Sequence, residues 1–347
     1  VGSGWTVSDA GPGDRPAWDA FVATRPDASA YHDYRWRGIL GQAFGVPSWY
    51  LLARDAAGGV GGVLPLVRLR SLLFGDFLVS MPYLNYGGVL AAGPGADAAL
   101  VGRAVALARE LRVGHVELRE TAPRGADWPV RTDKVAMVLA LAADPDAQFA
   151  ALGAKLRSQV RRPEREGARV ATGHLELLPD FYRVFARNMR DLGTPVYAPG
   201  FFRAILAGLG EAAELVVVYV GTEPAAAGFL VHHRDRTEIP WASSLREWNR
   251  IGVNMQLYWS VLKRAIARGS REFDFGRSTV DAGTYRFKAQ WGAQPRPLYW
   301  HYWLPDGQPL PGLNPANPKY ALAIRAWQRL PVWLANVVGP PIVRRLP

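Results

Sequence analysis

The order hairpin, strand, helix, strand occurs twice in this chain, and that repetition restricts its possible folds more than any other feature. In the first copy, residues 49–69 (WYLLARDAAGGVGGVLPLVRL) join two apolar, β-rich runs through a Gly-rich turn, the pattern of a hairpin. A further strand-like run, LVSMPYLNYGGVL, occupies 78–90. Apolar residues then recur every three to four positions over 96–112, the spacing of an amphipathic helix, and VGHVELRE (113–120) reads as a short buried strand. In the second copy, 214–234 is a hairpin turning at 221–224, and TEIPWASS (237–244) is a third strand. Residues 254–269 are a helix ending at Gly269, and REFDFGRS (271–278) is the strand after it. Gly62 aligns with Gly228 and Glu117 with Asp274, offsets of roughly 160 residues that predict a duplicated domain and not a solenoid.

A chain of 347 residues, 49% of them hydrophobic, has room for two ordinary cores. It contains no cysteine, which excludes a disulfide framework, a Cys-ligated zinc and a thiol nucleophile. The six histidines are dispersed except for the adjacent His232 and His233, no HxH or HxxxH pair exists, and no metal site is expected. There is no G-x-S-x-G elbow. No run reaches the ~18 apolar residues of a membrane span and no signal peptide is visible, so a cytoplasmic protein is expected. The net charge of +11 favours anionic partners such as tRNA, nucleotide-linked precursors or anionic lipid, although an arginine-rich composition with only five lysines accounts for it equally well.

Between the copies, a helix over 146–162 carries Lys155, Arg157, Arg161, Arg162 and, just beyond, Arg165; positions 157, 161 and 165 share one face. Pro163 should end or kink that helix, because its ring would meet the carbonyl of Gln159. A second helix (179–192), the turn-rich GTPVYAPG and a third helix from Phe201 follow. The expected division is 1–145 for the first domain, 146–305 for the second, and a C-terminal amphipathic tail over 306–347. That tail mixes Trp327 and Trp333 with Arg325, Arg329, Arg344 and Arg345, a composition suited either to an anionic lipid surface or to packing back on the domain.

Three stretches together resemble one family: KLRSQVRR from Lys155, DLGTPVY from Asp191, and FDFGRS from Phe273 followed by GTYRFKAQWG from Gly283. They look like the FemAB family of peptidyltransferases and its GNAT-like relatives, with the PEP-CTERM/exosortase-associated FemAB-related branch as the nearest match, over about residues 15–305. The resemblance implies an α/β (α+β) fold of tandem GNAT-like, acyl-CoA N-acyltransferase domains with mixed, splayed central sheets. It implies transfer of an aminoacyl or acyl group onto an amine of a cell-envelope precursor such as peptidoglycan or exopolysaccharide, with aminoacyl-tRNA or acyl-CoA as donor and no firmly implied cofactor. The acceptor would be amine-bearing and lipid-linked, and the tail would meet the inner membrane peripherally. In the family a Phe-Lys pair lies at the reaction centre, which corresponds here to Phe287 and Lys288.

Acyl transfer to an amine develops an oxyanion, which a fixed cation stabilises, and Lys288 suits that role. Arg277 and Arg286 are candidate clamps for phosphate or carboxylate. Asp274 is a candidate base or arginine-orienting group, and Tyr258 a candidate proton relay. Tyr285, Trp241, Asn85 and Tyr86 are candidate substrate-binding residues, and Arg157 and Arg161 a phosphate or tRNA patch. The loop NRIGVN (249–254) has a single glycine where a pyrophosphate-binding loop brings its backbone close at two positions, which argues for a donor other than acyl-CoA. Two other readings remain at this point: a CoA-dependent N-acyltransferase of the same fold, and a non-catalytic basic module that binds nucleic acid or another anionic polymer.

Overall fold

The computed structural model describes residues 4–71, 75–125, 128–305, 308–311 and 318–346. The expected tail boundary at 306 and the stretch 312–317 lie outside the described residues. The chain forms two compact units, one from Val1–Lys134, Pro297–Leu313 and Arg345–Pro347, the other from Val135–Arg296 and Asn314–Arg344.

The first unit begins with β1 (Trp5–Asp9), α1 (Arg15–Thr24) and α2 (Trp36–Phe44). The expected hairpin follows as β2 (Ser48–Asp55) and β3 (Val60–Ser71), then β4 (Gly75–Val79), β5 (Leu90–Ala91), α3 (Pro94–Leu111), β6 (Val116–Glu120) and β7 (Val130–Arg131). Helix α3 covers one face of the sheet through Leu100, Ala104 and Leu107, and α1 covers the other through Trp18, Phe21 and Val22.

The second unit runs β8 (Lys134–Ala140), α4 (Pro145–Ala151), α5 (Ala154–Arg165), β9 (Ala168–Gly173), α6 (Leu178–Leu192) and α7 (Pro199–Leu209). The repeat recurs as β10 (Ala213–Val220), β11 (Glu223–His233), β12 (Arg236–Ser244), α8 (Val253–Ala267) and β13 (Glu272–Thr279), before α9 (Gly283–Ala289) and β14 (Gln294–Pro297). Strand β15 (Tyr299–Trp303) then joins the first unit's sheet, and α10 (Pro318–Gln328) and α11 (Val332–Val343) close the chain. The sheets are ordered β1-β2-β3-β4-β6-β15-β7, with β5 beside β3, and β14-β8-β13-β12-β11-β10-β9. Helices α4, α5 and α8 line one face of the second sheet. On the other, Phe181, Phe185, Phe202, Phe229 and Trp241 form a chain of edge-to-face rings.

In each copy the strand after the crossover helix is parallel to the strand that follows the hairpin, and the pairing is brief. β4 and β6 pair only at Leu78–Val116 and Val79–Glu117, and β12 and β13 only from Arg236–Glu272 to Glu238–Asp274. Glu117 and Asp274 therefore occupy the last paired position in each fork. The aligned glycines also have a common cause. A Cβ on Gly62 would lie 2.8 Å from Leu100 Cδ1 of α3, and one on Gly228 would lie 2.9 Å from Ile239 and 3.4 Å from Leu257 of α8. Each glycine lets the crossover helix settle against the hairpin.

Three local expectations differ from the structure. The helix expected over 146–162 is two, because the chain breaks at Leu152–Gly153, where Leu152 (ψ 143°) and Gly153 (ψ 150°) are extended. Pro163 neither ends nor visibly interrupts α5, since it sits in the last turn, where the amide of Glu166 closes onto Arg162 and Pro163. The strand expected over 78–90 stops at Val79. Residues 80–89 turn back on β6, with Ser80 N–H donating to Glu117 O (2.9 Å) and Gly87 N–H to Arg119 O (3.0 Å). Met81 and Tyr83 adopt positive φ (50° and 70°) to make that path, an uncommon conformation for bulky side chains.

Beneath this loop lies a buried polar cluster. Arg119, 2% exposed, donates to Glu117 (2.7 Å) and to Leu84 O (3.1 Å), and its guanidinium stacks 4.4 Å from the Trp300 ring centre. At the end of β6, Arg124 is paired with Glu120 and Asp97. Burial pushes Glu120 up to about 7, against the pull of Arg124. The folded chain thus holds a proton there that the unfolded chain loses near 4.5, so this group's contribution is complete below pH 4.5 and lost as pH rises through 7. Glu120→Gln should remove that loss: between pH 5 and 7 the variant should gain on the parent by up to about 1.4 kcal/mol per pH unit, measured by urea unfolding.

Candidate active site

Strand β13 alternates its side chains across the sheet, so Phe273 and Phe275 enter the core under α8 while Asp274 faces the other way, fully buried, opposite Glu238 of β12. Asp274 accepts a hydrogen bond from Gly276 N–H (2.8 Å), and Gly276 has φ +76°, which turns β13 away from its neighbour just past the fork.

Lys288 fills this bend from α9. Its side chain is buried, 7% exposed, and Nζ donates to the carbonyls of Gly276 and Arg277, both at 3.0 Å. Burial lowers its pKa to about 8, while Asp274 and Glu238 pull it up and Arg277 pushes it down. Two of the three ammonium protons are occupied by the strand, and one remains to offer. Ser278, on the same turn and 4% exposed, has a buried hydroxyl with no hydrogen-bond partner among the described residues.

The aromatic residues hold α9 down. Phe287 lies 4.9 Å from the Tyr258 ring and 6.5 Å from Trp291, and Tyr258 stacks on Phe275 at 5.5 Å. Burial raises the Tyr258 hydroxyl to about 12, so it stays protonated at neutral pH. Tyr285 packs half-buried against the same cluster. The structure therefore gathers Lys288, Phe287, Tyr258, Asp274, Tyr285 and the backbone of Arg277 around one bend.

The remaining candidates lie elsewhere. Arg286 is exposed on α9. Trp241 belongs to the ring cluster under α6 and α7, 5.2 Å from Phe202. Tyr86 is buried edge-on against Tyr31 (5.5 Å), and Asn85 is half-buried beside it, both in the first unit's loop. Arg157 and Arg161 line a groove of about 420 Å³ with Ala154, Ser158 and Arg165. Arg157 donates to Ala150 O (3.2 Å) and to Leu152 O, and Arg161 lies over Phe149 at 4.9 Å. Among the described residues neither of them, nor Arg165, has a carboxylate partner. The opposite edge of α5 meets the start of α8: a Cβ on Gly252, which has φ +87°, would be 3.8 Å from Gln159 O and Pro163 Cγ.

Glu238 and Ser278 were not singled out in the sequence. Glu238 does carry a signal, as the one charged residue in TEIPWASS. A second buried network links Glu214, His232, Thr237 and Ser270 through bonds of 2.8–2.9 Å, and the Ser270 hydroxyl is already engaged with Thr237. No group of three His, Asp or Glu side chains among the described residues could hold a metal ion.

Residues 150–289, which span this site, match the family described as the acetyltransferase (GNAT) domain. The second unit thus carries a GNAT-type acetyltransferase segment. FemX superposes on it with a TM-score of 0.64 at 14% identity, covering 92% of this chain and 100% of FemX. The C-terminal domain of a putative lysylphosphatidylglycerol synthetase from Agrobacterium fabrum gives 0.58 at 14% identity over 90% and 95%. A tandem GNAT protein from the clavulanic acid biosynthesis pathway gives 0.53 at 14% identity over 88% and 99%. No curated protein matches the sequence. These likenesses are of fold, and they extend a tandem GNAT-type architecture to nearly the whole chain.

Because Lys288 is held at about 8, the folded chain releases that proton where the unfolded chain, near 10.5, still keeps it. Burying the charge therefore costs stability below pH 8, and the cost is relieved as pH rises toward 10.5. Unfolding free energies at pH 7.5 and 9.5 should rise more for the parent than for Lys288→Met.

Proposed function

We propose that the chain transfers an aminoacyl or acyl group onto an amine of a cell-envelope or exopolysaccharide precursor, at the bend of β13. The observation that carries this reading is the desolvated Lys288 ammonium, fixed at 3.0 Å by two carbonyls with one N–H still to give. When the amine attacks the donor carbonyl, the carbonyl oxygen gains charge and Lys288 Nζ donates to it in a site where water screens little; collapse then breaks the bond from that carbon to the donor's oxygen or sulfur, and the proton shed by the attacking nitrogen leaves on the departing hydroxyl or thiol. Ser278 supplies a second donor from the same turn. Asp274 and Glu238 keep the lysine charged, Phe287 and Tyr258 fix α9, and Tyr285 walls the acyl group. Arg277 and Arg286 grip the donor's phosphate.

The α5 groove supports a large anionic donor. Three arginines without carboxylate partners suit the phosphates of a tRNA acceptor end. The acetyltransferase family match favours acyl-CoA instead, and the single glycine of the 249–254 loop weighs against it. A lipid-linked acceptor would bring the chain to the inner membrane, where the tail would meet it.

Transfer assays with charged tRNA and with acyl-CoA distinguish the donors, and tight acetyl-CoA binding by calorimetry would overturn the tRNA assignment. Lys288→Ala should lower kcat by about 10²–10³-fold. Ser278→Ala should lower it about tenfold with the melting temperature unchanged, since its hydroxyl has no protein partner to lose. The double variant Arg157→Gln, Arg161→Gln should raise the donor KM about tenfold and flatten its salt dependence while kcat holds.

A further inference from the structure

The last helix is apolar on two sides. Its inner side docks on the second unit: Ala335 and Val343 are 1% and 5% exposed, and a Cβ on Gly339 would lie 2.8 Å from Val196 N, so α11 presses directly on the backbone before α7. Its outer side presents Trp333 (67% exposed), Val337 (65%), Val338 (39%) and Ile342 (37%). Scattered exposed apolar residues are ordinary, but six of the twelve large ones among the described residues fall in α10 and α11.

The charge along this part of the chain is one-sided. Helix α11 has no ionisable side chain, Arg329 precedes it, Arg344 and Arg345 follow it, and residues 307–347 hold five basic groups and no acidic one. We propose that the outer face of α11 seats on an anionic lipid surface, with Trp333 and Val337 in the headgroup–acyl boundary and the arginines on lipid phosphates. The helix is about 18 Å long, too short for the ~30 Å hydrocarbon core, so it lies in the plane of the surface. No helix among the described residues is long and apolar enough to cross a membrane. A second copy is disfavoured as the occupant, because two such faces would bring ten positive charges together. The inference rests on exposure and charge alone and stands independently of the role given to Lys288.

Flotation of the full chain with phosphatidylcholine vesicles, with and without phosphatidylglycerol, tests it. Anionic vesicles should bind at least about tenfold better, with binding falling as salt rises. Trp333→Ser with Val337→Ser should cut binding about tenfold while leaving the melting temperature and transfer to a soluble acceptor unchanged. Arg329→Gln with Arg345→Gln should abolish the preference for anionic lipid, at about fivefold per arginine. Equal binding of the parent to both vesicles, or serine variants that bind like the parent, would overturn the proposal. So would a dimer in solution that the serine pair dissolves, because the face would then join two copies.

Discussion

Two parallel strands that part after three residue pairs leave backbone groups and carboxylates that must find other partners, and the second unit is organised around that demand. Past Glu238–Asp274 the sheet no longer satisfies β13 from the β12 side. Gly276 bends the strand, Asp274 caps the bend, and Lys288 takes up the exposed carbonyls. The aromatic cluster of Tyr258, Phe275, Phe287 and Trp291 keeps α9 in place. A charge this well buried is tolerated only because two carboxylates and two carbonyls surround it. In the proposed reaction, the same desolvation is what makes it effective toward a developing oxyanion.

The first unit meets the same demand differently. Its fork is even shorter, and the 80–89 loop folds back to bond with β6, with Arg119 bridging to Leu84. One copy of the repeat thus fills its own fork, and the other leaves Lys288 there with one donor to spare. The two forks share one strand order, and in the first the loop after the third strand closes it from within.

Much of this was legible in the sequence because it depends on local pattern. The hairpins, crossover helices and last strands follow from apolar periodicity, and Gly62 and Gly228 mark where a helix must approach a strand closely. The resemblance of the Tyr-Arg-Phe-Lys segment to a known family pointed to the bend. What was illegible depends on tertiary partners. The 78–90 run looks like a strand, but its apolar residues bury themselves in a loop. Glu238 acquires meaning only from the register that sets it opposite Asp274. Nothing near β15 announces that it pairs with β6 of the first unit, Tyr299 against Glu120 and Trp303 against Val116. Trp241 looks like a ligand platform in one dimension and is a core ring in three.

The central claim is that the acyl carbonyl sits at the bend of β13. A crystal structure with a stable donor mimic, an aminoacyl group amide-linked to the 3′ end of an adenosine nucleotide, tests it most directly. The carbonyl oxygen should lie within about 3 Å of Lys288 Nζ, with the phosphate on the second unit's arginines. A donor bound with its carbonyl away from this bend, and Lys288 still closed on Gly276 and Arg277 alone, would contradict the account.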